Sequence, residues 1–301
     1  MIYFLLIMQN TYNEEIINKD IIVIYHKHCQ DGFGAAYAAY RKFGDNACYI
    51  PCNDRVIPPE GLVNKEIYIV DFSYPKEVLL NLQENNKRVV NIDHHISSKE
   101  AVESLKEYVF SIEHSGSYLA WEYFVSKDVP EFIKILEIID LKKDTDHGKA
   151  DVITYILSKP YTFESYENLL NDFEDESKME KIKEIGRAQN DYLELIIGAV
   201  ISEPDFVEFE GYTIPCINFS LPLNEKSIAL SEMYAKYPPF AMSYRYDNGK
   251  FKVSLRGNGE VDLNLLASKY GGGGHKSSAG FVIDADYPLS FATQIKRIIS
   301  K

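Results

Sequence analysis

Three apolar runs in the first hundred residues have the length and β-branched composition of buried strands. They cover Ile21–Tyr25, Glu66–Val70 and Val89–Ile92. Segments with helical periodicity lie between and after these runs, over residues 34–40, 76–83 and 98–108. Short apolar strands that alternate with helices are typical of a doubly wound, mainly parallel sheet. The first part of the chain is therefore predicted to be an α/β domain.

Further helices are predicted from Ser115 through Phe124 and over 130–139 and 175–201. The pattern changes in the last hundred residues, where a helix is predicted over 261–270. Strands are predicted over 212–219, 240–246, 251–255 and 281–283, with a hairpin signal at Asp247-Asn248-Gly249. We interpret residues 1–175 as one domain, 176–202 as a connecting helix, and 203–301 as a smaller α/β domain.

Composition narrows the class of protein and of partner. A hydrophobic content of 46% and a charged content of 26% are typical of globular domains. The net charge of −13 argues against a long nucleic-acid duplex as partner, because such binding needs a basic surface. Small anionic substrates are still compatible with this charge if the site itself supplies a metal ion or positive charge. Four scattered cysteines favour a reducing, cytoplasmic location.

The first eight residues, Met1 to Met8, are apolar but too few to span a bilayer. They also lack the basic flank and the cleavage site of a signal peptide, so no membrane partner is predicted. We interpret the stretch either as a packed terminal strand or as an extension upstream of a start at Met8.

Side chains that can bind metal ions follow each of the three apolar runs. They are His26 and Asp31 after the first, Asp71 after the second, and Asp93, His94 and His95 after the third. Ligands of doubly wound sheets bind beyond the carboxyl ends of the strands, so these residues are expected to meet. A mixed nitrogen and oxygen ligand set favours Mn2+, with Mg2+, Co2+ or Fe2+ as alternatives, over a thiolate zinc site. The sequence therefore predicts a metal centre of the kind that serves phosphoryl transfer.

Two features of the last hundred residues point to phosphate binding. Four glycines, Gly271 to Gly274, follow a predicted helix and precede His275, and such a loop can donate several N–H groups to a phosphate. Arg256 ends a hairpin strand, where a guanidinium suits bidentate phosphate contact. The alternatives are a flexible turn and a solvated strand end. The isolated histidines His114 and His147 are expected to be structural.

Together these motifs resemble a DHH-family phosphoesterase with a DHH-associated C-terminal domain. The resemblance rests on Asp93-His94-His95, on Asp31-Gly32 after the first strand, on Asp71, and on the GGGGH loop, and it covers about residues 20 to 290. It implies that the first domain binds two divalent cations, usually Mn2+. It also implies hydrolysis of phosphoester bonds in small nucleotides or short single-stranded oligonucleotides, in the cleft between two domains.

The resemblance carries over to individual positions. The family's metal ligands match His26, Asp31, Asp71, His94 and Asp140, although Asp144 lies close to the last of these. His95 would contact the phosphate and stabilise charge in the transition state, and Asp93 would orient its neighbours. The segment that grips the substrate matches Arg256, Gly272, Gly273, Gly274 and His275.

The chain departs from the family pattern at Cys29, which stands where the family usually has a first aspartate ligand. Either Cys29 or His28 would replace that ligand, or one cation would bind weakly. Two other functions stay open: a pyrophosphatase or polyphosphatase on the same catalytic domain, and a catalytically weak protein that binds nucleotides or nucleic acid. The exposed edge of the predicted sheet can support a homodimer.

Overall fold

A computed structural model describes residues 18–52, 57–141, 149–219 and 223–284, together with the backbone of 296–297. The chain divides into two compact units, Met1–Gln189 and Asn190–Lys301. The N-terminal apolar stretch, Asp144 and His147 lie outside the described residues. Among the described helices, none is both long enough and apolar enough to cross a membrane.

The first unit is built on a sheet of five parallel strands, in the order β2-β1-β3-β4-β5. The strands are β1 (Ile21–His26), β2 (Ala47–Cys52), β3 (Glu66–Val70), β4 (Arg88–Asp93) and β5 (Glu107–Phe110). The three strands predicted from apolar runs are β1, β3 and β4, which lie in the middle of the sheet. The edge strands β2 and β5 were not predicted.

Helices cover both faces of this sheet. They are α1 (Gln30–Phe43), α2 (Lys76–Asn85), α3 (Lys99–Val102), α4 (Gly116–Phe124), α5 (Glu131–Asp140), α6 (Ala150–Leu157) and α7 (Phe163–Phe173). Along β1, Val23 packs in one core with α1, α4 and α5, whereas Ile22 and Ile24 pack in a second core with α2. Burial on both faces explains why the central strands have continuous apolar sequences. The helix predicted over 98–108 is wrong beyond Val102, because β5 pairs there with β4.

Helix α1 lies close against the start of α4. A side chain at Gly34 would come within 2.9 Å of Ser117 Cβ and 2.6 Å of a Leu136 methyl group. The small residues of α1 therefore allow a close helix approach, which places the first turn of α4 beside Asp31. In this strand order the chain direction across the sheet reverses between β1 and β3, which is where ligands of such sheets bind.

The second unit has a seven-stranded, mostly antiparallel sheet in the order β10-β11-β9-β8-β7-β6-β12. The strands are β6 (Asp205–Phe209), β7 (Tyr212–Asn218), β8 (Phe240–Asp247), β9 (Lys250–Gly257), β10 (Gly273–His275), β11 (Ser278–Asp284) and β12 (Lys296–Arg297). Helices α9 (Leu223–Lys236) and α10 (Leu263–Ser268) belong to separate hydrophobic cores. The predicted α/β class of both parts is confirmed.

Helix α8 (Glu176–Ile201) contains the point where the two units divide, between Gln189 and Asn190. This point falls inside the connecting helix predicted over 176–202. The finer domain limits given by the sequence remain predictions.

Candidate functional site

The ends of β3 and β4 fix the position of Asp71. This residue directly follows β3 with φ 62°, a left-handed conformation that aspartate tolerates better than most residues. Its N–H donates to Ile92 O at 2.9 Å. The buried Asn91 amide donates to Ile69 O at 3.1 Å and to Phe72 O at 2.8 Å, on either side of Asp71. Asn91, which no sequence motif singled out, thus supports the backbone that aims the carboxylate.

The structure brings all five predicted ligand residues together. Asp71 lies between two imidazoles, with Oδ2 3.3 Å from His26 Nδ1 and Oδ1 3.2 Å from His94 Nε2. The same His94 nitrogen lies 3.4 Å from Asp140 Oδ2 and 3.9 Å from Asp31 Oδ2. Asp31 and Asp71 are each only 1% exposed. The centre therefore holds three carboxylates and two imidazoles in a largely buried position.

The atoms that face one another in this cluster lack hydrogen-bond partners. They are His26 Nδ1, Asp31 Oδ2, both carboxylate oxygens of Asp71, and His94 Nε2. Within the described part of the chain, seven buried side-chain nitrogen or oxygen atoms have no hydrogen-bond partner, and five of them lie in this cluster. Buried polar atoms are almost always paired, because an unpaired one costs free energy. Imidazole nitrogens and carboxylate oxygens with free lone pairs fit divalent cations, so the residues present suit the metal that the fold implies.

The described residues contain three groups of potential ligand atoms, each with its atoms within 4.8 Å of one another. The first is formed by His26, Cys29 and Asp71, the second by Asp31, His94 and Asp140, and the third by Asp71, Asp93, His94 and His95. Asp71 also contacts His94 of the second group. Asp71 therefore links the first group to the second.

The first turn of α4 holds Asp31 in place. Its Oδ1 accepts hydrogen bonds from Ser115 Oγ at 2.6 Å, from Ser117 Oγ at 2.5 Å and from Ser117 N at 3.1 Å. Because these bonds all go to Oδ1, the second oxygen of Asp31, Oδ2, faces His94. Between the serines, a side chain at Gly116 would meet Asp71 Oδ1 at 2.6 Å. The sequence indicates only a helix start at Ser115-Gly116-Ser117, yet this segment supports two ligands at once.

Burial and mutual charge shift the pKa values in the centre. Burial, with Asp71 and Asp140 close by, raises the pKa of Asp31 well above its usual range. Burial lowers the pKa of His94, but Asp71, Asp31 and Asp140 outweigh it and raise that pKa to about 9. Burial, Asp71 and Asp31 raise the pKa of the Cys29 thiol. Without a cation the centre therefore retains protons that a bound cation would displace.

Asp93 is fully buried and organises the residues that follow it. Its Oδ1 accepts from His94 N at 2.8 Å and lies 2.7 Å from His95 Nδ1. Ser98 Oγ donates to the other oxygen at 2.5 Å. An Nδ1–H bond to Asp93 fixes the orientation of the His95 ring and leaves Nε2 available. This geometry is compatible with the orienting role expected for Asp93 and the phosphate-contacting role expected for His95.

Two other histidines of the first unit lie outside the donor groups found among the described residues. His114 Nδ1 lies 2.9 Å from Glu137 Oε2, and its ring stacks on Tyr118 with centroids 3.9 Å apart. His28 is exposed and has a positive φ of 58°. The packing of His114 is that of a structural residue.

One face of the second unit's sheet carries a cluster of basic side chains. A cavity of about 360 Å³ is lined there by Lys226, Arg245, Ser254, Gly272 and Gly280, among others. Lys226 Nζ donates to Ser254 Oγ at 2.8 Å. Arg256, on the same face two residues along β9, donates to Ser227 Oγ at 2.6 Å. Burial, with Arg245 and Arg256 nearby, lowers the pKa of Lys226.

Lys226 and Arg245 are not apparent as site residues from the sequence. Lys226 lies in α9, a helix that was not predicted, and Arg245 is a single cation in a strand. The packing of α9 on β8 and β9 brings Lys226 beside Ser254, and the register that pairs Ser243 with Ser254 brings Arg245 to the same cavity. No local sequence signal could have identified this cluster.

The four-glycine segment differs from the loop of free N–H donors that was expected. Three of its N–H groups are donated within the unit, from Gly271 to Ser268 O, from Gly272 to Ala267 O and from Gly274 to Asn264 Oδ1. A side chain at Gly272 would lie 2.2 Å from Gly280 O, so close packing against β11 requires glycine there. Gly273 and the exposed His275 lie in β10. The expectation that these three N–H groups are free for phosphate is therefore wrong.

Comparisons with known proteins agree with this architecture. Residues 225–301 match the model of the DHHA1 domain. An uncharacterized protein, R106 of Acanthamoeba polyphaga mimivirus, is 26% identical over an alignment 305 residues long. The alignment covers 88% of this chain and 68% of that protein.

Two solved structures share the fold over nearly the whole chain. The DHH domain of a member of the s1p family of ribosomal proteins matches with a TM-score of 0.58 and 16% identity, over 95% of this chain and 88% of that one. A pGpG-specific phosphodiesterase, PggH from Vibrio cholerae, matches with a TM-score of 0.50 and 14% identity, over 91% of this chain and 97% of that one. At these identities the matches show the fold.

Proposed function

We propose that this chain, which has the DHH-family phosphoesterase fold and carries a DHHA1 domain, hydrolyses a phosphoester bond in a small nucleotide or short single-stranded oligonucleotide. The observation that carries the proposal is the set of five unpartnered donor atoms where β1, β3 and β4 end. Such a set is costly unless a ligand completes it. Divalent cations are the ligands that this donor chemistry fits.

We assign His26, Asp71, Asp31, His94 and Asp140 to hold these cations. Mn2+ is the expected ion, with Mg2+ or Co2+ as alternatives. Bound divalent cations supply Lewis-acid chemistry, which makes a water more acidic and neutralises charge on a phosphate. The protein's own contribution is to hold the ligands with Ser115, Ser117 and Asn91, and to keep the centre largely dry.

His95 is the proposed contact to the reacting phosphate. Its ring is held through Nδ1 by Asp93, and about a third of the side chain is exposed. The free Nε2 can donate a hydrogen bond to a phosphate oxygen or move a proton there. Asp93 then acts as a positioning residue, because it touches His95 and not the substrate.

The basic face of the second unit is the proposed binding surface for the substrate's own phosphates. Lys226 and Arg256 each donate a hydrogen bond to a serine hydroxyl. A hydroxyl is neutral, so these bonds do not compensate the positive charge of either side chain. A local basic cavity of about 360 Å³ on a chain of net charge −13 selects short anionic molecules. A long duplex would meet repulsion from the remaining surface. The structural neighbour PggH is a pGpG-specific phosphodiesterase, which agrees with a short nucleotide as the substrate proposed here.

A substrate panel tests the proposal. The purified full chain is incubated with Mn2+ and, separately, with a 5′-phosphorylated dinucleotide, a short single-stranded RNA, a nucleoside bisphosphate, pyrophosphate and polyphosphate. We expect release of a nucleotide or nucleoside from at least one of the first three, measured by chromatography, and no release in chelator. Turnover of pyrophosphate or polyphosphate alone would replace the proposal with a pyrophosphatase. Tight nucleotide binding without any turnover would replace it with a binding protein.

Replacing Arg256 by Ala is expected to raise KM for the substrate about 10- to 100-fold with little change in kcat. The physical reason is that a hydrogen bond to a charged group contributes about 1.5–3 kcal/mol. Lys226→Met is expected to behave in the same way, whereas Lys250→Met is the matched control. Lys250 lies on the same strand as Arg256 but pairs with Asp284 at 3.5 Å. Metal content is measured in each variant, and a fall in kcat at constant KM would contradict a substrate-binding role.

A further inference from the structure

We propose that the cation position formed by His26, Cys29 and Asp71 takes a thiolate-accepting divalent cation of the Zn2+ and Co2+ class, with Cys29 as a direct ligand. The other position, formed by Asp31, His94 and Asp140, keeps the preference for Mn2+ or Mg2+. The centre would then hold two different metals. This inference rests on the proposed function and deepens it, because it assigns an ion class to each half of the same centre.

The cysteine does not stand alone in this position. Ligand atoms of His26, Cys29 and Asp71 all lie within 4.8 Å of one another. His26 Nδ1 and both Asp71 oxygens have no hydrogen-bond partner, and Asp71 is 1% exposed. The Asp71 carboxylate is therefore fully buried, has no hydrogen-bond partner, and lies close to the Cys29 thiol. These atoms point independently to a bound cation.

The backbone decides between Cys29 and His28 as the substitute ligand. Cys29 precedes the first residue of α1 in an extended conformation, with φ −128° and ψ 133°, and its side chain makes no capping bond. Its carbonyl accepts from Phe33 N at 3.0 Å, so the main chain of Cys29 is fixed, and its thiol is not in a disulfide. His28 has the opposite sign of φ and an exposed side chain. The turn between β1 and α1 thus brings the thiol, and not the imidazole, to the centre.

The other three cysteines serve packing. Cys48, Cys52 and Cys216 are buried in hydrophobic cores, and Cys52 Sγ lies 3.4 Å from the Tyr74 hydroxyl. They belong to none of the potential ligand groups among the described residues. Cys48 is therefore a matched control in the same unit.

Ligand chemistry separates the two positions. The first offers one nitrogen, one sulfur and one oxygen donor, whereas the second offers one nitrogen and two oxygens. Thiolate ligands favour Zn2+ and other borderline ions, and carboxylates favour Mn2+ and Mg2+. Loss of an outer-shell partner of a metal ligand typically costs about 10- to 100-fold in affinity. Loss of the Cys29 thiolate itself is expected to cost about 100-fold for Zn2+ or Co2+.

The test is a Co2+ titration of the metal-free full chain, followed by its near-ultraviolet absorbance. We expect a thiolate-to-cobalt charge-transfer band that saturates at one equivalent and is displaced by Zn2+. The band is expected in the Cys48→Ala control and absent in Cys29→Ser. Cys29→Asp replaces the thiolate with a carboxylate ligand. This variant is expected to lack the band but to bind Mn2+ at this position, which would show that the site still folds.

Alkylation gives a second readout that needs no variant. In the wild-type chain Zn2+ is expected to protect Cys29 from an alkylating reagent, as mapped by mass spectrometry of its peptide. A missing charge-transfer band in the wild-type chain, a band that survives Cys29→Ser, or unprotected Cys29 would each overturn the inference.

Failure of this inference and failure of the proposed function give different results. Mn2+-dependent hydrolysis without any thiolate band would leave the proposed function standing and remove the role of Cys29. A band that depends on Cys29, without turnover of any substrate in the panel, would leave a mixed-metal centre and remove the proposed function.

Discussion

Replacing Asp71 by Asn is expected to reduce metal-dependent hydrolysis by about a thousandfold or more. Asp71 belongs to the first donor group and contacts the second, with one oxygen toward His26 and the other toward His94. An amide cannot supply two anionic oxygens, so both cation positions lose a ligand together. Metal ions contribute several kcal/mol to phosphoryl transfer, and about 4 kcal/mol corresponds to a thousandfold in rate.

The fold is expected to survive this change. Asn has nearly the shape of Asp. Burial, followed by repulsion from neighbouring carboxylates including Asp71, raises the pKa of Asp31 and Asp140, and the substitution removes one source of that repulsion. Thermal unfolding separates structure from function here. Metal at about 100 times its Kd stabilises a folded protein by about 2.7 kcal/mol. For a unit of this size the wild-type Tm should then rise by about 5–10 °C, and Asp71→Asn should lose most of that rise.

Asp20→Asn is the matched control for Asp71→Asn. Asp20 is an exposed aspartate of the same unit that pairs with Lys87 at 3.4 Å. The Asp20→Asn variant should retain both the turnover and the metal-dependent rise in Tm. Wild-type turnover by Asp71→Asn, measured with the substrate found in the panel, would refute the assignment of the metal centre.

Metal affinity is expected to rise by about tenfold per pH unit for each proton displaced as pH increases from 6 toward 9. In the metal-free protein the pKa of His94 is raised to about 9, above the ordinary value of 6.5, although burial alone would lower it. His94 is therefore protonated at neutral pH, and a cation must displace that proton from Nε2. The raised pKa of Asp31 acts in the same direction. Above about pH 9 the contribution of His94 disappears, and the dependence should flatten.

Calorimetric titration with Mn2+ in two buffers of different ionisation enthalpy measures the protons released. We expect at least about one proton per centre at pH 7. His114→Gln is the control, because His114 pairs with Glu137 outside the donor groups, and its titration should match the wild type. An affinity that does not change between pH 6 and 9 would contradict the protonation states derived from the geometry.

The sequence by itself identified the parallel sheet and the edge that carries the metal-binding side chains. This was possible because β1, β3 and β4 are covered on both faces, which makes them continuous apolar runs whose polar ends are visible. The strands β2 and β5 lie at the edges of the sheet, where partial exposure weakens that pattern. In β5, for example, both Glu107 and Tyr108 are exposed, and the local pattern predicts a helix instead.

Tertiary contacts decided how the site is built. Ser115 reaches Asp31 across 84 positions of sequence, and only the packing of α1 against α4 brings them together. Lys226 and Arg245 meet because α9 packs on β8 and β9, and three of the glycine N–H groups donate within their own unit. The choice between Cys29 and His28 likewise depended on φ and ψ at a single turn. The sequence determined which residue types stand at the end of each central strand, because burial of a strand on both faces gives a continuous apolar run whose end is visible. Side-chain direction and partners follow from long-range packing, which leaves no local pattern to recognise.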